Sequence, residues 1–159
     1  MSDKLKSLTE LAAIADQARR DHRRVVFTNG CFDLLHRGHV HLLQQAKASG
    51  DILIVGINSD RSVRAIKGPR RPILPQGDRV ELIGAMEMVD YIGVFDDPDP
   101  YALIEAIKPN LLIKGGDWKP TQIIGADVVQ REGGQVIVIP YLQGYSTTEI
   151  IERIRALNG

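Results

Sequence analysis

The chain has 159 residues, one domain's worth at roughly 100–200 residues per domain and enough to bury a core. Lysine and arginine number 20 and aspartate and glutamate also 20, so the formal charge is zero and no global field draws in nucleic acid or an anionic membrane. Hydrophobic residues at 43% and charged residues at 25% exclude a disordered or collagen-like chain, aromatics at 5% are too few for a stacking platform on single-stranded nucleic acid, and the lone cysteine, Cys31, excludes an intramolecular disulfide or a CxxC site.

In chain order, Leu5, Leu8, Leu11, Ala12, Ile14 and Ala15 recur at helical spacing, with Ser7 or Thr9 as caps, and predict an amphipathic helix over 8–20. Arg19, Arg20, Arg23 and Arg24 read as a solvated helix end that complements the helix dipole. The first residues hold no continuous apolar run and carry acids throughout, so they read as neither a signal nor a transit peptide. No apolar run approaches the roughly 18 residues of a membrane span, so a soluble cytoplasmic protein is expected. Residues 1–23 read as an N-terminal helical extension ahead of a catalytic domain over 24–159. That helix either packs on its own domain or covers a second copy in a homo-oligomer.

Apolar, β-branched runs then alternate with helical patterns. Strands are expected over Val25 to Thr28, Ile52 to Ile57, Tyr91 to Phe95, Leu111 to Ile113 and Val136 to Ile139. Helices are expected near 38–49, 77–88, 100–107, 122–132 and 147–157, and the longest irregular stretch is Gly68 to Gly77. Continuously apolar strands separated by helices predict an α/β fold, a doubly wound five-stranded parallel sheet with helices on both faces. In such folds ligands bind beyond the carboxyl ends of the strands.

The first strand runs into Asn29-Gly30-Cys31-Phe32-Asp33-Leu34-Leu35-His36-Arg37-Gly38-His39, with a helix starting near Gly38. His36-x-Gly-His39 therefore falls where free backbone N–H groups point at the crevice, and Gly38 allows a phosphate to approach the backbone. His41, deeper in that helix, reads as a packing or surface histidine. At the far end Gly144-Tyr145-Ser146-Thr147-Thr148-Glu149 opens the last helix, with Glu149 where a capping box anchored at Ser146 would place it. A second helix N-terminus could thus present N–H and hydroxyl donors to the same polyphosphate. Arg61 to Arg71 holds five basic residues and no acid, and reads as a clamp for phosphates. Gly115 and Gly116 after the fourth strand allow backbone contact with a base or ribose. Asp96, Asp97 and Asp99, separated by prolines, read as a solvated turn. Cys31 has no general base placed to activate it and reads as a pocket-lining residue. No GxGxxG follows the first strand, which argues against a dinucleotide-dependent oxidoreductase.

VFTNGCFDLLHRGHVHLL, NSD, KGPRRP, KGGDW and GYSTTEII, in this order and spacing, resemble the nucleotidyltransferase superfamily marked by HxGH and STT. Within it the likeness is to the D-glycero-β-D-manno-heptose 1-phosphate adenylyltransferases, over residues 24–156. The resemblance implies a Rossmann-like fold and conversion of ATP and heptose 1-phosphate to ADP-heptose and pyrophosphate, with a substrate-bound magnesium ion. Many relatives carry this domain behind a sugar kinase, so a free-standing form is expected here. The resemblance casts His36, His39 and Lys67 as catalytic. It assigns nucleotide binding to Asn29, Gly30, Cys31, Phe32, Gly38, Gly115, Asp117, Gly144, Ser146, Thr147 and Thr148. Asp33, Lys67, Arg71 and Arg79 fall to the acceptor, with Asp33 also a candidate magnesium contact; a turn-stabilising role for Asp33 and an ion pair for Arg79 stay open. Trp118 either covers the site or packs. Tyr141 stands where related cytidylyltransferases have an arginine, which argues against a cytidine nucleotide. The remaining alternatives are a cytidylyl- or adenylyltransferase on another sugar or polyol phosphate, and a nucleotide-binding sensor or kinase partner subunit.

Overall fold

The computed structural model describes residues 2–159. Five parallel strands, β1 (Val25–Gly30), β2 (Ile52–Asn58), β3 (Tyr91–Phe95), β4 (Leu111–Gly115) and β5 (Gln135–Ile139), lie in the order β3-β2-β1-β4-β5. The α-helices are α1 (Leu8–Arg20), α2 (Arg37–Ala48), α3 (Asp60–Lys67), α4 (Gln76–Gly84), α5 (Tyr101–Ile107), α6 (Ala126–Arg131) and α7 (Thr147–Leu157). This is the expected doubly wound, Rossmann-like sheet.

Alternate residues of the continuously apolar strands feed two cores. Val25, Phe27, Ile52, Ile54 and Leu112 pack with α1, α5 and α6 on one face; Val26, Leu53, Val55, Leu111 and Ile113 pack with α2 and α4 on the other. Helix α1 is part of the first core: Leu11 and Ala15 are fully buried there, and around the adjoining bridge at Leu5 the backbone N–H of Lys6 donates to Ile92 O while that of Ile92 donates to Lys4 O. Gly93 of β3 makes room for this packing, since a Cβ there would come within 2.6 Å of a Leu11 methyl. The apolar face of α1 thus covers its own sheet.

One helix is not among those expected. Residues 60–67 form α3, capped by the Ser59 hydroxyl, which accepts from Ser62 N, and stopped at Gly68 with φ 100°. Its eight residues bury only Ser62 and Val63, so the apolar periodicity is too short to stand out from the basic run. Lys67 consequently sits in a last helical turn. The expected long helix over 122–132 splits into a 3-10 turn at Pro120–Gln122 and α6, because Gly125 (φ 90°) lies between them.

The register explains where the crevice opens. β1 pairs with β2 along its whole length, from Val25↔Ile52 to Gly30↔Ile57, whereas its pairing with β4 ends at Phe27↔Leu112. β4 nevertheless continues to Gly115 alongside β5. β1 and β4 therefore part at their carboxyl ends, at the point where the chain winds in opposite directions. Because Leu11 is a fully buried member of the core, Leu11→Ala is expected to cost about 2–5 kcal/mol, read as a lower urea midpoint at unchanged m.

Candidate active site

A cleft of about 790 Å³ opens over that gap, a size typical of small-molecule sites. From the β1–α2 connection it is lined by Asn29, Gly30, Cys31, Phe32, Asp33, His36, Gly38 and His39, and from the β5–α7 connection by Gly144, Ser146, Thr147 and Thr148. Lys67, Arg71 and Gly115 complete the expected set. Two expected residues do not line it. Asp117 is exposed outside the lining, and Arg79 lies beneath it.

The two histidines are held by the start of α2. His36 is the N-cap, and its Nδ1 accepts from Gly38 N at 3.1 Å; His39 Nδ1 accepts from His36 N at 3.3 Å. This is a capping box built from imidazoles in place of the usual hydroxyl and carboxylate. The rings stack with centroids 3.8 Å apart and planes 26° apart. A neutral imidazole whose Nδ1 accepts carries its proton on Nε2, so both rings offer an Nε2–H to the cleft. Burial, and secondarily the His36 charge, pushes the His39 pKa down to about 4; burial also lowers His36, against an opposing pull from Glu149. Both are neutral donors at pH 7. The need for glycine at position 38 has a second cause here, because a Cβ would come within 2.9 Å of the His36 ring.

The STT segment meets the start of α2 directly. Ser146 caps α7 by accepting from Glu149 N at 3.0 Å, and Thr147 Oγ1 donates to Leu34 O at 3.1 Å, tying the second helix N-terminus to the β1–α2 loop. The capping box is only half formed: the Glu149 carboxylate receives the Ser146 hydroxyl at 3.5 Å and leaves the cap's backbone N–H alone. Arg37 lies over the Tyr145 ring, 5.7 Å from its centroid, across the same junction.

The acceptor-side assignments need correction. Asp33 is 1% exposed, and both its oxygens are filled: Ile73 N and Leu74 N donate to Oδ1 at 2.9 Å, and Arg71 Nε donates to Oδ2 at 2.6 Å. Burial works against its charge, but those donors outweigh it and hold its pKa below the ordinary value. It is a loop anchor, in the turn-stabilising alternative, and has no free lone pair aimed at a metal. Because Asp33 takes Arg71 by Nε, the terminal nitrogens of that guanidinium stay available to the cleft. Arg79 is 0% exposed and donates to Leu74 O, Cys31 O, Asn58 O and Asp60 Oδ1 over 2.7–3.1 Å. Its position in sequence matches a ligand-binding arginine, but its donors are spent on the protein.

Trp118 borders the cleft, in its site-covering alternative, as do Tyr141 and His41, the latter read from the sequence as a packing or surface residue; Lys114 and Tyr145 also line it and have no role in the sequence reading. Tyr141 packs over Gly116, where a Cβ would meet its ring at 2.7 Å. The lysine of KGGDW was the available signal for Lys114. Asp96 and Asp97 are exposed, as a solvated turn requires, while Asp99 reaches the cleft edge and accepts from Tyr101 N.

Two expectations follow from this geometry. Since the unfolded His39 titrates near 6.5 and the folded one near 4, the unfolded chain takes up a proton that the native state refuses. Stability should therefore fall as pH drops from 6.5 toward 4 and gain no further His39 contribution to that fall below 4. Thermal melts of the ligand-free protein and of His39→Gln across that window should differ in slope. Arg79→Met should lower stability by about 3–5 kcal/mol in chemical denaturation, because it strands three buried carbonyls and the Asp60 carboxylate.

Comparison with known proteins agrees with this geometry. A profile of the cytidylyltransferase-like family matches residues 27–153. The bifunctional protein HldE of Geotalea uraniireducens is 47% identical over 152 residues, 96% of this chain and 31% of that protein, and HldE of Wolinella succinogenes is 48% identical over 153 residues, again 96% and 31%. The chain thus spans about a third of the length of these curated relatives. Among solved structures, a lipopolysaccharide core biosynthesis protein from Thermoplasma volcanium superimposes with a TM-score of 0.61 at 27% identity, covering 78% of this chain and 99% of its own. Pantoate-beta-alanine ligase from Francisella tularensis shares the fold with a TM-score of 0.60 at 16% identity, over 98% of this chain and 78% of its own. With the stacked histidines of HxGH and the STT helix start meeting over the β1–β4 gap, and the family profile spanning both, the chain belongs to the cytidylyltransferase-like family.

Proposed function

We propose that this cleft transfers an adenylyl group from ATP to D-glycero-β-D-manno-heptose 1-phosphate, releasing pyrophosphate and forming ADP-heptose for lipopolysaccharide core or a related heptose glycan. The observation that carries the reading is the pair of stacked, neutral imidazoles presenting Nε2–H donors beside two helix N-termini in one cleft. Support for the sugar comes from the NGCFDLLHRGH, KGPRRP, KGGDW and GYSTTEII segments and from the HldE relatives.

An oxygen of the sugar phosphate attacks the α-phosphorus, the bond from that phosphorus to the bridging oxygen breaks, and the electron pair leaves on pyrophosphate. The attacking oxygen is already anionic at pH 7, so no general base is required. The histidines fit that demand. Their Nδ1 atoms are occupied by backbone N–H groups and they are neutral, so they act as fixed donors to the charge that shifts onto the leaving phosphates. The free N–H groups at the start of α7 serve the same polyphosphate. Lys67 and Arg71, on the β2 side, hold the acceptor phosphate.

Asp33 has no free oxygen, so the protein groups at this position do not fit a resident metal. Magnesium belongs to the nucleotide, held by phosphate oxygens and water. Soluble substrates suit a cytoplasmic enzyme, and among the described residues no helix is long and apolar enough to cross a membrane.

Mass spectrometry of products from ATP or CTP with a panel of sugar 1-phosphates tests the reading. ADP-heptose should dominate; a CDP product, or preference for another acceptor, would replace the assigned substrates. His39→Ala and His36→Ala should each lower kcat on the order of 100 to 1000-fold with little change in ATP Kd by calorimetry.

A further inference from the structure

Lys114 differs from the paired cations around the cleft. It is the fourth residue of β4, two beyond Leu112, where β4 loses its pairing with β1. Its side chain is half-buried in the cleft wall, and its Nζ makes no hydrogen bond or ion pair among the described residues. The ammonium rests over the Trp118 ring, 5.6 Å from the centroid. Arg71, by contrast, is matched by Asp33, Arg79 by Asp60 and three carbonyls, and Lys47 by Asp90. Burial lowers the Lys114 pKa, and although the Cys31 thiol group opposes this, the charge of Lys67 adds to it. A desolvated, unpaired ammonium opposes folding. An anion entering the cleft would offset that cost.

The position selects which anion. Lys67, at the end of α3, belongs to the β2 side that holds the acceptor phosphate, and the N-termini of α2 and α7 belong to the nucleotide phosphates. Lys114 stands between them, in the gap between β1 and β4, near enough to Lys67 to feel its charge. We propose that Lys114 is a further catalytic residue, leaving the Trp118 face to contact the α-phosphate and the incoming phosphate oxygen while the new P–O bond forms. The inference rests on the nucleotidyl-transfer reading above. It gives the cleft a mobile cation at the reacting phosphorus in addition to the fixed histidine donors.

Lys114→Met keeps the aliphatic stem and removes the charge. It should melt higher than wild type, by roughly 2–4 °C, because the unpaired ammonium is gone. Its kcat should fall by about 100-fold or more with ATP Kd little changed, and Lys114→Arg should recover part of the loss. The alkaline limb of the wild-type kcat/KM profile should lie below an ordinary lysine pKa and disappear in the methionine variant. An acceptor-independent measurement separates this inference from its parent. Acylation of Lys114 by N-hydroxysuccinimidyl acetate, followed by peptide mass spectrometry, should slow severalfold when ATP–magnesium is present. Protection of Lys114 by ATP together with no transfer to heptose 1-phosphate would sink the substrate assignment and leave Lys114 in place. Acylation unaffected by ATP, a kcat above about a tenth of wild type in Lys114→Met, or a lower melting temperature with ATP binding lost alongside would each overturn the role of Lys114.

Discussion

Two buried charges spent on backbone hold the cleft in shape. Asp33, at the start of the β1–α2 loop, accepts from the backbone of Ile73 and Leu74, while Arg79 donates to Leu74 from below and to the carbonyls of Cys31 and Asn58. The segment after α3 is therefore gripped from two sides, and the ends of β1 and β2 are joined through one guanidinium. Charged groups are needed because the segment's polar backbone is partly withdrawn from water, and a charge-assisted hydrogen bond is about twice as strong as a neutral one. The same arrangement presents Arg71 by its terminal nitrogens, since its Nε is already taken.

In the proposed reaction the chemistry comes from helix ends and from rings that stay neutral. The chain as a whole carries no net charge, so attraction for a polyphosphate has to be local. The parting of β1 from β4 creates the space, α2 and α7 aim their free N–H groups into it, and Thr147 locks the two helix N-termini together through Leu34 O. Neutral histidine donors suit a reaction whose nucleophile arrives as an anion, because they stabilise developing charge without trapping the substrate as a fixed ion pair would. Lys67 and Arg71 bring charge to the cleft from the β2 side.

The packing of α1 shows how a peripheral element contributes to the site at a distance. Leu11 and Ala15 fill the face of the sheet behind β1 and β3, on the side where α5 and α6 also pack. A sheet covered on both faces has a fixed twist and fixed strand ends, and a site at those ends inherits that rigidity.

The sequence by itself determined the alternation of strands and helices, the location of HxGH and STT at helix N-termini, and most of the lining of the cleft. Each of these is written in local signals: apolar runs, glycines at turns, capping residues. It did not reveal α3, whose eight residues bury too little to show a period, nor the true occupation of Asp33 and Arg79. The chain left both a ligand role and a turn-stabilising or ion-pair role open for these two, because their sequence neighbourhood is that of a ligand site; whether a charged side chain faces solvent or spends its hydrogen bonds on other segments is decided mostly by partners 19 to 48 residues away. Lys114 is the converse. Its residue type and its place at a strand end are plain in the chain, but that it lies half-buried with no ion-pair partner among the described residues follows only from where β1 and β4 separate, and strand register is a property of the folded sheet.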